Sequence, residues 1–142
     1  MSYFHYMWAI LLMVVLKCDD FGSKIVWNTP VKYVEKPWGY EKWIAVTDSY
    51  ALKEIFLKKD CRCSLQYHEQ KEEHSYLLKG KVAVEEDDET GTLVTNIYEP
   101  GGCWHEKPHA RHRVTAIEDS TFIEVSTPHL DDVVRIQDDF GR

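Results

Sequence analysis

No apolar run in this 142-residue chain is long enough to cross a bilayer as a helix. Met7 to Leu16 is an uninterrupted stretch of ten apolar residues, against the roughly 20 that a spanning helix needs. It lacks a preceding Lys or Arg and a following small-x-small site, as an export signal would require, and Lys17 before Cys18 spoils a lipoprotein-type cleavage site. The expectation is a packing segment within an extension spanning 1–24, laid on the domain or buried in a dimer, since an exposed run would be sticky. A degenerate export signal or anchor and an upstream start codon are the other readings. A basic excess is also missing. Seventeen Lys and Arg stand against 24 Asp and Glu, a formal charge of −7. Such a surface repels polyanions, so neither nucleic acid nor a membrane is expected as a partner. The four cysteines, Cys18, Cys61, Cys63 and Cys103, show no two-by-two zinc spacing. Adjacent positions on one strand face suit a mutual disulfide poorly. Reduced thiols and a cytoplasmic location are the reading. Internal repeats, linkers and low-complexity tracts are lacking too.

What is present is strand after strand. Segments 24–28, 38–46, 50–58, 63–68, 74–86, 91–99, 112–118, 121–127 and 133–137 are short, β-branched or aromatic, and roughly alternating. Turn signals separate them, among them Asp87 to Gly91, a hairpin tip whose acidic run keeps it in water. About nine strands with no amphipathic helix pattern after residue 24 predict one all-β domain over 25–142, a sandwich or barrel.

The chemistry concentrates in two stretches. Gln66 and His68 are one strand repeat apart and leave the same face. Four residues then separate His68 from Glu73, enough for a short turn between paired strands. The second stretch, Pro108 to Val114, sets His112 at the start of an alternating strand. In a rolled sheet the two stretches can meet at the barrel mouth. Two imidazoles, a carboxylate and an amide oxygen then surround one point, a set suited to a divalent metal whose identity the donors alone do not choose. By parity Arg62 faces inward with Gln66 and His68. Glu124 interrupts an apolar strand and projects into the cavity. Cys61 and Cys63 point the other way, and Trp38 and Trp43 are core residues rather than sugar platforms. His5, His74, His105, His109 and His129 are surface or structural.

The spacing Gln66-x-His68, Glu73 and Gly80 resembles the first cupin motif, with glutamine replacing its first histidine. That replacement is similar to the cupin domain of type II mannose-6-phosphate isomerases, which also occurs fused to a mannose-1-phosphate guanylyltransferase. Lys36-Pro37-Trp38-Gly39, Ser64-Leu65-Gln66-Tyr67-His68, Glu73-His74, His112-Arg113 and the ending from Asp131-Asp132-Val133-Val134-Arg135 to Phe140-Gly141-Arg142 agree with that subgroup. The resemblance covers about residues 36–142 and implies a jelly-roll cupin barrel. It also implies a metal held by Gln66, His68, Glu73 and His112, zinc first, with Mn, Co, Ni, Fe and Mg as alternatives. There are departures: Ser75 stands where a tryptophan is common, Lys71 where an arginine is, and the second motif is degraded to Pro108-His109-Ala110-Arg111-His112. No guanylyltransferase domain fits in this length.

The implied reaction is aldose–ketose isomerisation of a sugar phosphate, mannose 6-phosphate to fructose 6-phosphate. Arg135 and Arg142 match arginines used at the family's site, and guanidinium grips phosphate in two prongs. With Glu124 as the base, these form the catalytic set, and Arg62 and Arg113 form the substrate-binding set. A nucleotide sugar is the other candidate ligand, and a homodimer paired through edge strands is expected. The competing functions are a metal- and sugar-binding module without turnover, and another cupin enzyme such as an epimerase or dioxygenase.

Overall fold

A computed structural model describes residues 30–142; the 1–24 extension and the strand expected at 24–28 lie outside them. Within this span the chain is all strand. In order these are β1 (Lys32–Lys36), β2 (Gly39–Val46), β3 (Ala51–Leu57), β4 (Leu65–Tyr67), β5 (Glu73–Lys79), β6 (Val82–Asp87), β7 (Leu93–Tyr98), β8 (Cys103–Glu106), β9 (His112–Ala116), β10 (Ser120–Ser126) and β11 (Val134–Gln137). Six form one antiparallel sheet in the order β1-β2-β3-β10-β5-β8, and five form another in the order β11-β4-β9-β6-β7. Among the described residues no helix is long and apolar enough to cross a membrane.

Alternation decides which face each strand buries. In β3, Ala51, Lys53, Ile55 and Leu57 are buried while the intervening residues are half-buried. In β5, Glu73, Ser75 and Leu77 are buried while His74, Tyr76 and Leu78 are exposed. The register stacks these inward residues into rows across the six-stranded sheet. Ile55, Phe122 and Leu77 make an apolar row. It packs with Leu57, Trp38, Val82, Val84, Val114 and Ala116 in the core between the sheets. Full burial of a Leu or Val side chain contributes about 1.5–3 kcal/mol, so this end closes the fold. The next rows are polar. Lys53, Glu124, Ser75 and Trp104 stand in one register, and Ser126, Glu73 and Glu106 in the next. The barrel interior is thus dry at one end and lined with charge at the other.

Three features differ from the strand pattern read in the sequence. β1 and β8 are additional strands, both at edges of the six-stranded sheet. Segment 74–86 is two strands, β5 and β6, which belong to different sheets. The chain changes sheet at Gly80, whose φ is +90°, and a Cβ there would strike the Asp119 carbonyl and Ser120. The link 69–72 is likewise no hairpin turn, because β4 and β5 also lie in different sheets. At the other motif glycine, Gly39, a Cβ would collide with the Phe56 carbonyl, so the hairpin after Pro37-Trp38 admits no side chain. Replacing Gly80 with Ala combines this clash with a left-handed backbone and is expected to cost at least about 3 kcal/mol. Gly91→Ala, with φ +75° but open space around it, should cost only about 1–2 kcal/mol. Urea unfolding of both variants checks the difference.

Candidate metal centre

The polar end of the barrel holds the two sequence stretches together. Gln66 of β4 stands directly opposite His112 of β9 in the five-stranded sheet. Glu73 comes from β5 in the facing sheet, and His68 from the segment that crosses between them. His68, Glu73 and His112 are all buried, and one ligand atom from each lies within 4.8 Å of the others. His68 Nε2 is 3.2 Å from Glu73 Oε2, and His112 Nε2 is 3.6 Å from the same oxygen.

The outer nitrogen of each ring is already committed. His68 Nδ1 donates to the Asp132 carbonyl, and His112 Nδ1 donates to the Ala110 carbonyl at 3.1 Å. Backbone partners of this kind fix the tautomer, so both Nε2 lone pairs point inward, as metal-binding imidazoles require. Two lone pairs then converge on a carboxylate oxygen, an arrangement that repels unless positive charge sits between the three groups. Burial holds His112 neutral, its pKa pushed down to about 4 despite the Glu73 carboxylate. Burial alone would raise Glu73, but a proton on His68 Nε2, which a bound cation would replace, and the Lys71 ammonium outweigh it and keep the carboxyl well below its usual range. Lys71 Nζ is 2.5 Å from Glu73 Oε1. The donor set therefore fits a divalent cation.

Gln66 needs one adjustment to join it. Its Nε2, not its oxygen, lies 3.4 Å from His112 Nε2, while Oε1 accepts from Ser64 Oγ at 2.7 Å. A hydroxyl donates or accepts equally well, so turning the amide over presents the oxygen inward and keeps the Ser64 bond.

Asp132, read in the sequence only as part of the family-like ending, organises this end. The Asp132 carboxylate accepts the backbone N–H groups of Glu69, Gln70 and Lys71 at 3.0, 2.7 and 2.8 Å. Burial opposes its ionisation, yet these bonds bring its pKa down to about 2. In sequence it reads as one more acid in an acidic ending; nothing local announces that it reaches 61–63 residues back. His109 ties the two motifs together: it adopts φ 68° and donates its N–H to the His68 carbonyl at 2.6 Å.

The cavity has a volume of about 350 Å³, and Gln66, Glu73, His112, Glu124, Arg135 and Arg142 lie on its wall. Arg135 pairs in register with Gln66, which puts it in one row with Gln66 and His112. Arg142 is held by Asp138, its Nη2 2.8 Å from Oδ1. Glu124 is buried, with its Oε1 3.2 Å from Lys53 Nζ. Burial and the Glu73 charge raise its pKa against the pull of Lys53. Glu106 lines the same cavity and is raised well above the ordinary carboxyl, first by burial and then by Glu73, Glu124 and Glu86.

Other expectations need correction. Arg62 does not face inward. The chain is not yet in β4 there, and the guanidinium forks onto exposed Asp139 at 2.5 and 3.0 Å. Arg113 follows His112 on the opposite face of β9. It is buried beside Glu85 and the Gln137 carbonyl, away from the cavity. Cys63 belongs to the cavity wall, because parity fails where residues 63–64 leave the strand pattern. Trp43 also lines the cavity, with Trp38 in the core as expected. Asp87 is not merely solvated: it grips Arg111, Nη2 to Oδ1 at 2.7 Å. Where the resemblance leads one to expect a tryptophan at position 75, Ser75 is buried, and Trp104 stands directly across from it on β8. Among the described cysteines, Cys61, Cys63 and Cys103 are unpaired.

Two sheets folded into a barrel, with histidines and a carboxylate converging at one mouth, define a cupin. A family model described as mannose-6-phosphate isomerase C-terminal matches residues 28–138, and the chain belongs to that family. Among curated proteins it is similar to the xanthan biosynthesis protein XanB of Xanthomonas campestris pv. campestris (strain B100). The two are 29% identical over 125 residues, which cover 84% of this chain and 25% of the relative. The chain thus spans about a quarter of that protein's length. Solved structures extend the likeness in fold. Oxalate decarboxylase from Bacillus subtilis at pH 4.6 superposes with a TM-score of 0.67 at 19% identity, over 76% of this chain and 30% of that one. KdgF from Halomonas sp. gives 0.61 at 21% identity, over 70% and 90%.

Acid should unfold the metal-free protein in two stages. His112 has a folded pKa of about 4 against an ordinary 6.5. The unfolded chain therefore takes up its proton first, and stability on the order of 3 kcal/mol drains away as pH falls from about 6.5 to 4. Asp132, folded near 2 against 3.8, contributes stability that is complete above pH 4 and is lost as pH falls towards 2. Asp132→Asn should shrink only the lower stage, to which Glu73 and Asp138 also contribute, and His112→Gln only the upper. Thermal unfolding across pH 2–8 reads both.

Proposed function

We propose that this domain is a metal-dependent isomerase that interconverts mannose 6-phosphate and fructose 6-phosphate. One observation carries the reading: His68, Glu73 and His112 converge within 4.8 Å beside a cavity whose wall also bears Arg135 and Arg142. The family match to a mannose-6-phosphate isomerase C-terminal domain supports it. A divalent ion held by Gln66, His68, Glu73 and His112, zinc before manganese, cobalt, nickel, iron or magnesium, would supply Lewis-acid polarisation of the sugar oxygens.

The chain's own residues do the remaining work. Arg135 and Arg142 hold the phosphate, Arg142 keeping its orientation through Asp138. Glu124 takes the C2 proton and returns it to C1, while the hydroxyl proton passes from O2 to O1, so nothing is gained or lost overall. A carboxyl whose pKa is raised by burial is closer to the basicity such a transfer needs at neutral pH. Lys53, 3.2 Å away, keeps that carboxylate charged before the transfer. Enclosure by Trp43, Leu130 and Val133 limits water. The expected homodimer belongs to the same proposal. The outer face of the six-stranded sheet exposes Tyr33, Tyr76, Leu78 and Val125, and light scattering should read twice the chain mass.

The decisive measurement pairs metal analysis with a coupled assay for fructose 6-phosphate. About one metal ion per chain is expected in the wild type. His112→Ala should lose at least tenfold in metal affinity and Glu124→Gln at least about 10²-fold in kcat with the metal retained. Sugar phosphate bound without turnover under Zn, Mn, Co, Ni, Fe or Mg would leave a binding module in its place. Glu124 already paired with Lys53 and a match to only a quarter of XanB favour that second reading.

A further inference from the structure

Five buried side-chain polar atoms lack a hydrogen-bond partner among the described residues: Trp104 Nε1, Glu106 Oε2, Arg113 Nε, Glu124 Oε1 and Ser126 Oγ. Buried polar atoms seldom go unpartnered, and each such case asks for an explanation. Here four of the five fall together. Glu124 and Trp104 flank Ser75 in one inward row, and Ser126 and Glu106 flank Glu73 in the next. Of these four, Glu124 has the Lys53 ammonium beside it. Glu106 has no such cation, and only the Trp104 indole N–H, two residues before it on β8, lies near enough to favour its charged form. Glu106 is 3% exposed, its Oε2 is orphaned, and it lines the cavity. A carboxyl in that position weakens the fold, since burying it unpartnered costs more than an apolar residue of its size. Groups that violate packing rules at a cavity wall mark where a ligand supplies the missing partner.

We propose that Glu106 is a specificity-determining residue, its Oε2 hydrogen-bonding a secondary hydroxyl of the hexose whose phosphate lies at Arg135 and Arg142. The proposal rests on the sugar-phosphate reading above and extends it. The arginines recognise the phosphate, which any phosphorylated metabolite offers, whereas Glu106 recognises a polyhydroxylated carbon skeleton. Sites built to hydrogen-bond a hydroxyl discriminate strongly, because a ligand without it leaves the buried carboxyl unpaired. The β8 edge is where this discrimination resides.

Calorimetric titration of the metal-loaded full chain tests it, using mannose 6-phosphate and inorganic phosphate as probes on wild type, Glu106→Leu and Glu106→Gln. Glu106→Leu should bind mannose 6-phosphate at least tenfold more weakly and inorganic phosphate unchanged. It should also melt no lower than wild type. Glu106→Gln, which keeps a hydrogen-bonding end, should stay within about threefold of wild type for both probes. Unchanged sugar-phosphate affinity in Glu106→Leu overturns the assignment while leaving the isomerase reading intact. So does a parallel loss of both probes, or a melting point well below wild type, since either makes the carboxyl structural. Wild-type binding without turnover, with the Leu variant still selectively weakened, sinks the isomerase reading and keeps the subsite. A wild type that binds no mannose 6-phosphate overturns both.

Discussion

One carboxylate governs the geometry of the polar end. Asp132 accepts three consecutive backbone N–H groups from the link after His68, and its own carbonyl takes the His68 Nδ1 proton. A link that crosses from one sheet to another cannot lean on ladder hydrogen bonds, so its backbone donors need another acceptor. A charged acceptor is stronger than a neutral one. Through these bonds the C-terminal segment settles both the path of residues 69–71 and the rotation of a candidate ligand. Arg135, three residues on, then falls into register with Gln66. The anchoring of the tail and the assembly of the site are one event.

The interior of the barrel is divided by function. Its apolar rows supply the burial that holds two sheets face to face. Its polar end carries Lys53, Lys71, Glu73, Glu106 and Glu124, all nine-tenths or more buried. Lys53 sits between Glu41 and Glu124 at 3.9 and 3.2 Å, and Lys71 sits on Glu73. Burying charge in this way rarely stabilises a protein, because desolvation cancels most of the attraction. Its concentration beside a cavity is the feature on which the proposed function draws.

Much of this was legible beforehand, for a physical reason. Strand alternation and turn residues are local, so the all-β domain and the bulk of its strands could be read from neighbours in sequence. The spacing of Gln66, His68, Glu73 and His112 resembles a motif whose geometry the barrel enforces, and the three strongest donors do converge. The failures share one cause: parity was carried through residues that are not in strands. It sent Arg62 inward and Cys63 outward, whereas residues 61–64 precede β4 and obey no two-residue period. The hairpin turn expected between His68 and Glu73 fails for a like reason, since four residues fit a hairpin or a crossing equally well. The roles of Asp132 and Glu106 were not legible, because they lie in partners gained, or missing, only after folding.

The candidate donors also span the sandwich. His112 is rooted in one sheet, Glu73 in the other, and His68 in the strap between. An ion gripped by all three would act as a rivet through both leaves, linking rigidity to mineral supply. Scarcity would then slacken the whole molecule and not merely silence it, because whatever binds only the folded form adds its affinity to the fold.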